Sequence, residues 1–355
     1  MSPTSGPWAT LRHESVRASV RALIVGLGSV GQRHARNLRA LRPDIELLCW
    51  RQRNQPGART ETGAWDPAAD PAAAVGAIVM PTLDAAVAAG PDVAFICTPS
   101  SQHLTEALRL ASAGCHLFIE KPLSHSLAGV ARLQAIAAER ALIVAIGSQW
   151  RFHPCVDYLR TMLWSARGGP VLRAEIDFSE YLPDWHPWED YRRSYAASAE
   201  LGGGVILSQI HDYDLAHWLF GAPRSVMATG GTLGDLGVDV EDTVSAQLDC
   251  ASAKVFVRQT FAERERRRRI IVTATEATIT CDLVANRVVV EPEGGGLELV
   301  DHDRNDEFRA VTQDFIAAVE QRGAPRTALA EGAAVLRTAL AVKESLRRRA
   351  PVTVE

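Results

Sequence analysis

Several features are missing from this chain, and each absence excludes a class of protein. No run approaches the ~18 consecutive apolar residues that a membrane-spanning helix requires, so no membrane partner is expected. The formal net charge is only −4, which gives no basis for binding nucleic acid or another polyanion. The six cysteines, at 49, 97, 115, 155, 250 and 281, form no C-x-x-C pair, so they read as reduced, buried thiols of a cytoplasmic protein. Residues 1–20 contain charges but no apolar core, and are read as an N-terminal arm rather than a secretory signal. Internal repeats, low-complexity linkers and an H-E-x-x-H motif are also absent. What remains is ordinary in bulk, with 47% hydrophobic and 23% charged residues over 355 positions, long enough for two domains with their own cores.

The most informative stretch is Ala22-Leu-Ile-Val-Gly-Leu-Gly-Ser-Val-Gly31. Its apolar run reads as a buried parallel strand, and Gly26, Gly28 and Gly31 follow as G-x-G-x-x-G. The pattern then turns helical, with His34, Leu38 and Leu41 on one face and Pro43 beyond. A strand, a glycine turn and a helix in this order make a phosphate-binding element. Gly28 lets a pyrophosphate approach the backbone, and the helix start at Ser29 and Val30 presents N–H groups to it.

The second strand, 45–50, is followed by Arg51-Gln-Arg53 with no acidic residue. An acid here accepts from the ribose hydroxyls of NAD, whereas arginines suit the 2′-phosphate of NADP. The expectation is therefore NADP(H), with NAD(H) possible; Arg51 and Arg53 also read simply as surface arginines. Further strands are expected at 93–97, ending in Thr98-Pro99, and at 116–119, ending in Glu120-Lys121-Pro122. His103 reads equally as a cofactor neighbour or as a helix-start residue. A lysine closing a buried strand is costly without a partner. The alternation of strands and helices makes residues 21–148 a doubly wound α/β domain around a parallel sheet.

From 149 the texture changes, and 149–355 reads as an α+β domain with a large, mostly antiparallel open sheet for substrate binding and oligomerisation. Arg151 and His153 lie in an aromatic–polar cluster. Residues 182–192, with Trp185, Trp188 and Tyr191, read as a long loop suited to polyhydroxylated ligands or as one that staples itself. Residues 205–221 read as one helix carrying His211, Asp214 and His217 at three-residue spacing. Such a row is not a metal ligand set by itself, and no metal is expected. The arginine-rich run 263–269 reads as a charged hairpin edge.

Taken together, the glycine turn at 26–31, Thr98-Pro99 with His103, Glu120-Lys121-Pro122, and Gly202-Gly-Gly with His211-Asp-Tyr-Asp214 resemble the Gfo/Idh/MocA oxidoreductases over residues 20–350. The segment 185–192 resembles a subgroup linked to sugar or nonulosonate metabolism. The resemblance implies hydride transfer between a nicotinamide and a secondary alcohol or ketone of a sugar, amino sugar, nonulosonate or cyclitol. Glu120 would help hold the cofactor, Lys121 would point at the reacting oxygen and His211 would act as acid/base. Arg151, His153, Trp185, Trp188, Tyr191 and Asp214 would meet a small polyol or sugar substrate, and a homodimer or homotetramer is expected. Many members of that family carry an aspartate three or four residues before the histidine. Here Ser208 and Leu207 stand there, so either Lys121 and His211 suffice, or Asp212, Asp214 or Glu200 takes over part of its work. An NAD-dependent glycosidase and a catalytically weakened nucleotide-binding protein are the alternatives.

Overall fold

A computed structural model describes residues 20–52, 57–59, 64–166, 168–292 and 294–354. The expected N-terminal arm and Arg53 lie outside these, apart from Val20. The chain forms two compact units, one of residues 1–123, 128–147 and 308–330, the other of residues 124–127, 148–307 and 331–355.

In the first unit, strands β1 (Arg21–Val25), β2 (Glu46–Trp50), β3 (Ile78–Val79), β4 (Val93–Ile96), β5 (His116–Ile119) and β6 (Val144–Ile146) form one sheet. Their order is β3-β2-β1-β4-β5-β6, and every pairing is parallel. Helices α1 (Ser29–Leu41), α2 (Leu83–Ala88), α3 (His103–Ser112) and α4 (Val130–Glu139) are interleaved with the strands. The inner strands are covered on both faces, which is why they are unbroken apolar runs: Leu23, Ile24, Val25, Phe95, Ile96, Phe118 and Ile119 are all wholly buried.

Residues 308–330 belong to this first unit rather than to the second, where the sequence placed them. The physical reason is aromatic. The buried ring of Phe315 meets Phe95 and Phe118 at 5.5 and 5.7 Å, and those two rings stack at 4.8 Å. Burying each such ring contributes on the order of 2–3 kcal/mol. The Ile146 N–H also donates to the carbonyl of Thr327 at 2.8 Å.

The second unit begins with α5 (Pro154–Trp164), β7 (Val171–Tyr181), α6 (Val205–Ser208) and α7 (His211–Phe220). Strands β8 (Pro223–Gly231), β9 (Thr243–Cys250), β10 (Lys254–Thr260), β11 (Ala262–Ala274), β12 (Thr278–Asp282), β13 (Arg287–Glu291) and β14 (Gly296–Glu298) follow. Helix α8 (Asn305–Gln321) leads back to the first unit, and α9 (Leu329–Arg348) and β15 (Val352–Thr353) close the chain. The sheet order is β14-β13-β12-β11-β7-β10-β9-β8-β15. All its pairs are antiparallel except β7 with β10.

Three sequence expectations meet the structure here. First, the second sheet is mostly antiparallel as expected, and β7 contributes its one parallel pairing, with β10. Second, only part of the arginine run is a charged edge. Arg264 and Arg266 are exposed where the register of β11 with β7 shifts, whereas Arg267, Arg268 and Arg269 pair with β7 and Arg269 pairs with β12 as well. The run's charges are met by acids on neighbouring strands: Arg269 by Asp282 at 2.7 Å, and Arg268 by Glu180 at 2.7 Å. The guanidinium carbon of Arg268 also lies 4.8 Å from the rings of both Trp150 and Phe178. Third, residues 205–221 are two helices. Gln209 leaves the helical region at ψ 35°, and its carbonyl accepts from the side chain of Gln259 at 2.7 Å. The break makes His211 the first residue of α7 rather than an interior helix residue.

The outer sheet face carries one row of paired residues, Met227, Gln247, Phe256, Glu175, Ile271, Thr280 and Val289. Met227, Phe256 and Val289 on this row are exposed.

Candidate functional site

The first unit gathers its candidate residues at the carboxyl ends of four adjacent strands. Gly26 follows β1, Arg51 follows β2, Thr98 follows β4 and Lys121 follows β5. This edge is where open α/β sheets take their ligands. Gly26 sits at φ +89°, and a Cβ there would lie 2.9 Å from the backbone of Cys97. A Cβ on Gly31 would be driven into the carbonyl oxygen of Gly26, so helix and turn touch backbone to backbone. At Gly28, by contrast, no described atom lies within 4 Å of a Cβ position. Helix α1 opens there without a side-chain cap and without an acid in its first turn. An uncapped helix start beside an open glycine fits the pyrophosphate of a dinucleotide, with Ser29, Val30 and Gly31 supplying backbone N–H groups.

Arg51 donates through Nη2 to Asp70 at 2.8 Å, while its buried Nε and Nη1 have no hydrogen-bond partner among the described residues. The acid that meets this arginine comes from 19 residues further along the chain, not from the stretch directly after β2, where the sequence has none. Thr98 is gripped on two sides. Its hydroxyl donates to Glu106 at 2.5 Å, and its carbonyl faces Nε2 of His103 at 2.7 Å. Nδ1 of His103 faces the carbonyl of Pro122 at 2.9 Å. Both ring nitrogens of His103 are thus occupied by the backbone turns after β4 and β5. Burial depresses its pKa.

Glu120 and Lys121 close β5. Glu120 is buried, and its carboxyl bridges two partners: Nε2 of His34 at 2.8 Å and the backbone N–H of Lys121 at 3.1 Å. It lies over Gly147, where an added Cβ would be 3.0 Å from three carboxyl atoms. Burial raises the Glu120 carboxyl, but the His34 and Lys121 contacts outweigh it and the net shift is downward. The sequence reading treated His34 as one position of an apolar helix stripe. The signal that could have singled it out is its polarity in the middle of that stripe.

In the second unit His211 is buried at the start of α7, with its ring 6.4 Å from Trp150. Arg151 and Asp214 are paired with each other. The guanidinium donates to both carboxylate oxygens at 2.7 to 3.1 Å, and the two side chains are 2% and 3% exposed. Glu331 also accepts from Arg151. This arrangement braces α7 against the turn at 149–152, and breaking such a buried pair typically costs about 3–5 kcal/mol.

Of the acids considered as substitutes for a missing aspartate, Asp214 is held by Arg151 and Glu200 is exposed. Asp212 is wholly buried, which drives its carboxyl pKa far up, and Gln259 donates to it at 2.6 Å. His217 contacts Thr338 at 2.8 Å, and burial pushes its pKa down to about 4.

The loop residues divide. Trp185 packs edge-on to Phe261 at 5.2 Å, and Tyr191 donates its hydroxyl to the carbonyl of Leu236 at 2.9 Å, while Trp188 is exposed. Residues 182–197 contain three 3-10 turns. His153 lies with His302 and Glu307 in the one described group with metal-ligand spacing. Its chemistry argues for a hydrogen-bonded cluster instead. Nδ1 of His153 accepts from the backbone N–H of Cys155 at 3.1 Å, so the ring proton sits on Nε2, which faces Asn286 and Glu307. A nitrogen carrying a proton offers no lone pair to a metal.

Glu106 generates a pH prediction. Burial pushes its carboxyl up to about 7 from an ordinary 4.5, against the pull of the Thr98 hydroxyl. The folded protein therefore keeps a proton that the unfolded chain releases near 4.5. Stability falls as pH rises through that window and levels off above about 7. Glu106→Gln removes this dependence: its thermal midpoint should match wild type near pH 5 and exceed it near pH 8, by up to about 3 kcal/mol in stability. A constant difference across that range would contradict the assignment.

Comparison with known proteins agrees with this layout. Residues 20–148 match the oxidoreductase family with an NAD-binding Rossmann fold, and residues 156–280 match the GFO/IDH/MocA C-terminal domain. The chain is 28% identical over 351 residues to UDP-N-acetylglucosamine 3-dehydrogenase of Acidithiobacillus ferrooxidans, covering 93% of this chain and 99% of that one. It is 25% identical over 357 residues to myo-inositol 2-dehydrogenase of Thermotoga maritima, covering 95% and 99%. Among solved structures, GenD2 from gentamicin A biosynthesis, in complex with NAD, superimposes with a TM-score of 0.79 at 25% identity, covering 97% and 99%. No helix among the described residues is long and apolar enough to cross a membrane. With both of its domain patterns matched, the chain belongs to the Gfo/Idh/MocA family of oxidoreductases.

Proposed function

We propose that this protein is an NAD(P)-dependent dehydrogenase or reductase that interconverts a secondary alcohol and a ketone on a sugar, amino sugar, nonulosonate or cyclitol. The observation that carries the reading is the sharing of one sheet edge by the glycine turn after β1, Thr98 after β4 and Lys121 after β5. The relatives named above act on a nucleotide-linked amino sugar and on an inositol, by their names. A bound nicotinamide supplies or accepts the hydride. The chain's own residues have the remaining tasks. Ser29, Val30 and Gly31 bind the pyrophosphate through backbone N–H groups, and Thr98 and Pro99 form the wall beside it. Lys121 stabilises negative charge on the reacting oxygen, and His211 takes or returns its proton.

Arg151 and Asp214 brace the site instead of touching substrate, because each is already committed to the other. Trp188 is the loop residue with an exposed face to offer a sugar ring. The exposed row of Met227, Phe256 and Val289 supports a homodimer or homotetramer built on the outer sheet face.

The cofactor reading is NADP(H), supported by the two Arg51 donors that no described group uses. Asp70 beside Arg51 favours NAD(H) as the second reading, since a carboxylate there accepts from ribose hydroxyls. Arg51→Ala should weaken NADPH by about tenfold or more and NADH little, the scale of one lost charge-assisted contact. Equal losses in dissociation constants for both would remove Arg51 from the preference.

Lys121→Ala should reduce turnover by about a thousandfold while dinucleotide affinity, followed by fluorescence titration, stays within about threefold. A Lys121→Ala protein with wild-type kcat would overturn the mechanism.

A further inference from the structure

His34 is wholly buried, yet it is polar at both ring nitrogens. Its ring is surrounded by phenylalanines, with Phe118 at 4.8 Å, Phe95 at 5.4 Å and Phe308 at 5.9 Å between centroids. A polar ring in such a box is retained only if its hydrogen bonds are made. Nδ1 lies 3.1 Å from Oγ1 of Thr312, and Nε2 lies 2.8 Å from Oε1 of Glu120.

The protons can be placed by elimination. Thr312 has one hydroxyl hydrogen, which it donates to the carbonyl of Phe308 at 2.7 Å. Toward His34 it can therefore only accept, so Nδ1 carries a proton. At the other end, two lone pairs cannot face each other at 2.8 Å, so one proton also lies between Nε2 and Glu120. The imidazole and the carboxyl together hold that proton, and the pair carries no net charge. The second carboxyl oxygen, Oε2, receives the backbone N–H of Lys121. Gly147, which has no Cβ, leaves the space in which the carboxyl lies. The Thr312 hydroxyl, the His34 ring, the Glu120 carboxyl and the Lys121 N–H form one unbroken line of hydrogen bonds, all within the first unit.

We propose that His34 is a positioning residue for Lys121: it locks the Glu120 carboxyl in the one orientation that fixes the lysine's backbone at the end of β5. The proposal rests on the reading of Lys121 as the group that meets the reacting oxygen. It accounts for a buried histidine on α1 with Glu120 at one ring nitrogen and Thr312 at the other. Without His34, Glu120 keeps only its contacts to Lys121, and the carboxyl loses the restraint on its rotation.

The test compares His34→Phe, which fills the box but makes neither bond, with His34→Gln, which keeps a donor toward Glu120. His34→Phe should lower kcat by about a hundredfold, the scale of an ångström-sized misplacement of a reacting group. Its KM and dinucleotide dissociation constant should stay within about threefold, and His34→Gln should recover most of the loss. In a Glu120→Gln background the His34→Gln substitution should cost less than about twofold more, because the two residues act as one unit.

A wild-type kcat in His34→Phe, a loss carried by KM or dinucleotide affinity, or additive losses in the double variant would overturn the proposal. Should His34→Phe not fold, the additivity of His34→Gln with Glu120→Gln decides alone. Lys121→Ala is measured alongside. If it turns over normally, the reading of Lys121 fails; if it is inactive while His34→Phe is normal, only the role of His34 is lost.

Discussion

A carboxyl group buried inside a protein must be met at every oxygen or be expelled, and Glu120 is such a group. Its demands organise the first unit around it. A histidine on α1 meets one oxygen, a backbone N–H meets the other, and a glycine after β6 leaves the space in which the carboxyl lies. Thr312, from far down the chain, fixes the histidine in turn. The result is that the backbone of Lys121 is held by groups drawn from four separate stretches of sequence. A lysine used on a reacting oxygen needs this restraint, because a four-carbon side chain is otherwise free to wander.

The same economy runs through the neighbouring turns. His103 faces the backbone after both β4 and β5, and Glu106 holds the Thr98 hydroxyl. These side chains shape the sheet edge without any requirement that they touch a ligand. In the second unit Arg151 and Asp214 do comparable work for α7, the helix that His211 opens. Asp212, with its carboxyl pushed upward by burial and bonded to Gln259, is poorly suited to act as a carboxylate base.

Much of the first unit was legible in the sequence because its strands are buried on both faces and so appear as unbroken apolar runs. The glycine turn was legible because backbone contact between Gly26 and Gly31 tolerates no side chain. Other features depend on partners far apart in sequence. Nothing local reveals that Phe315 packs with Phe95 and Phe118, or that Asp70 reaches Arg51. The arginine run looked like a solvated edge because its acids lie on neighbouring strands, Glu180 on β7 and Asp282 on β12. His34 was hidden for the same reason: its apolar neighbours in α1 set the periodicity, while its polar partners are Glu120 and Thr312.

The central claim is that this chain catalyses net hydride transfer on polyhydroxylated substrates. The most direct measurement mixes the wild-type protein with oxidised NAD or NADP and a panel of nucleotide-linked sugars, amino sugars and inositols, and follows the absorbance of reduced nicotinamide. The account predicts a steady rise with one of them, matched by an equal amount of ketone product. Tight dinucleotide binding with no reduction across the panel, or product formed by bond cleavage with no net change in the cofactor, would contradict it.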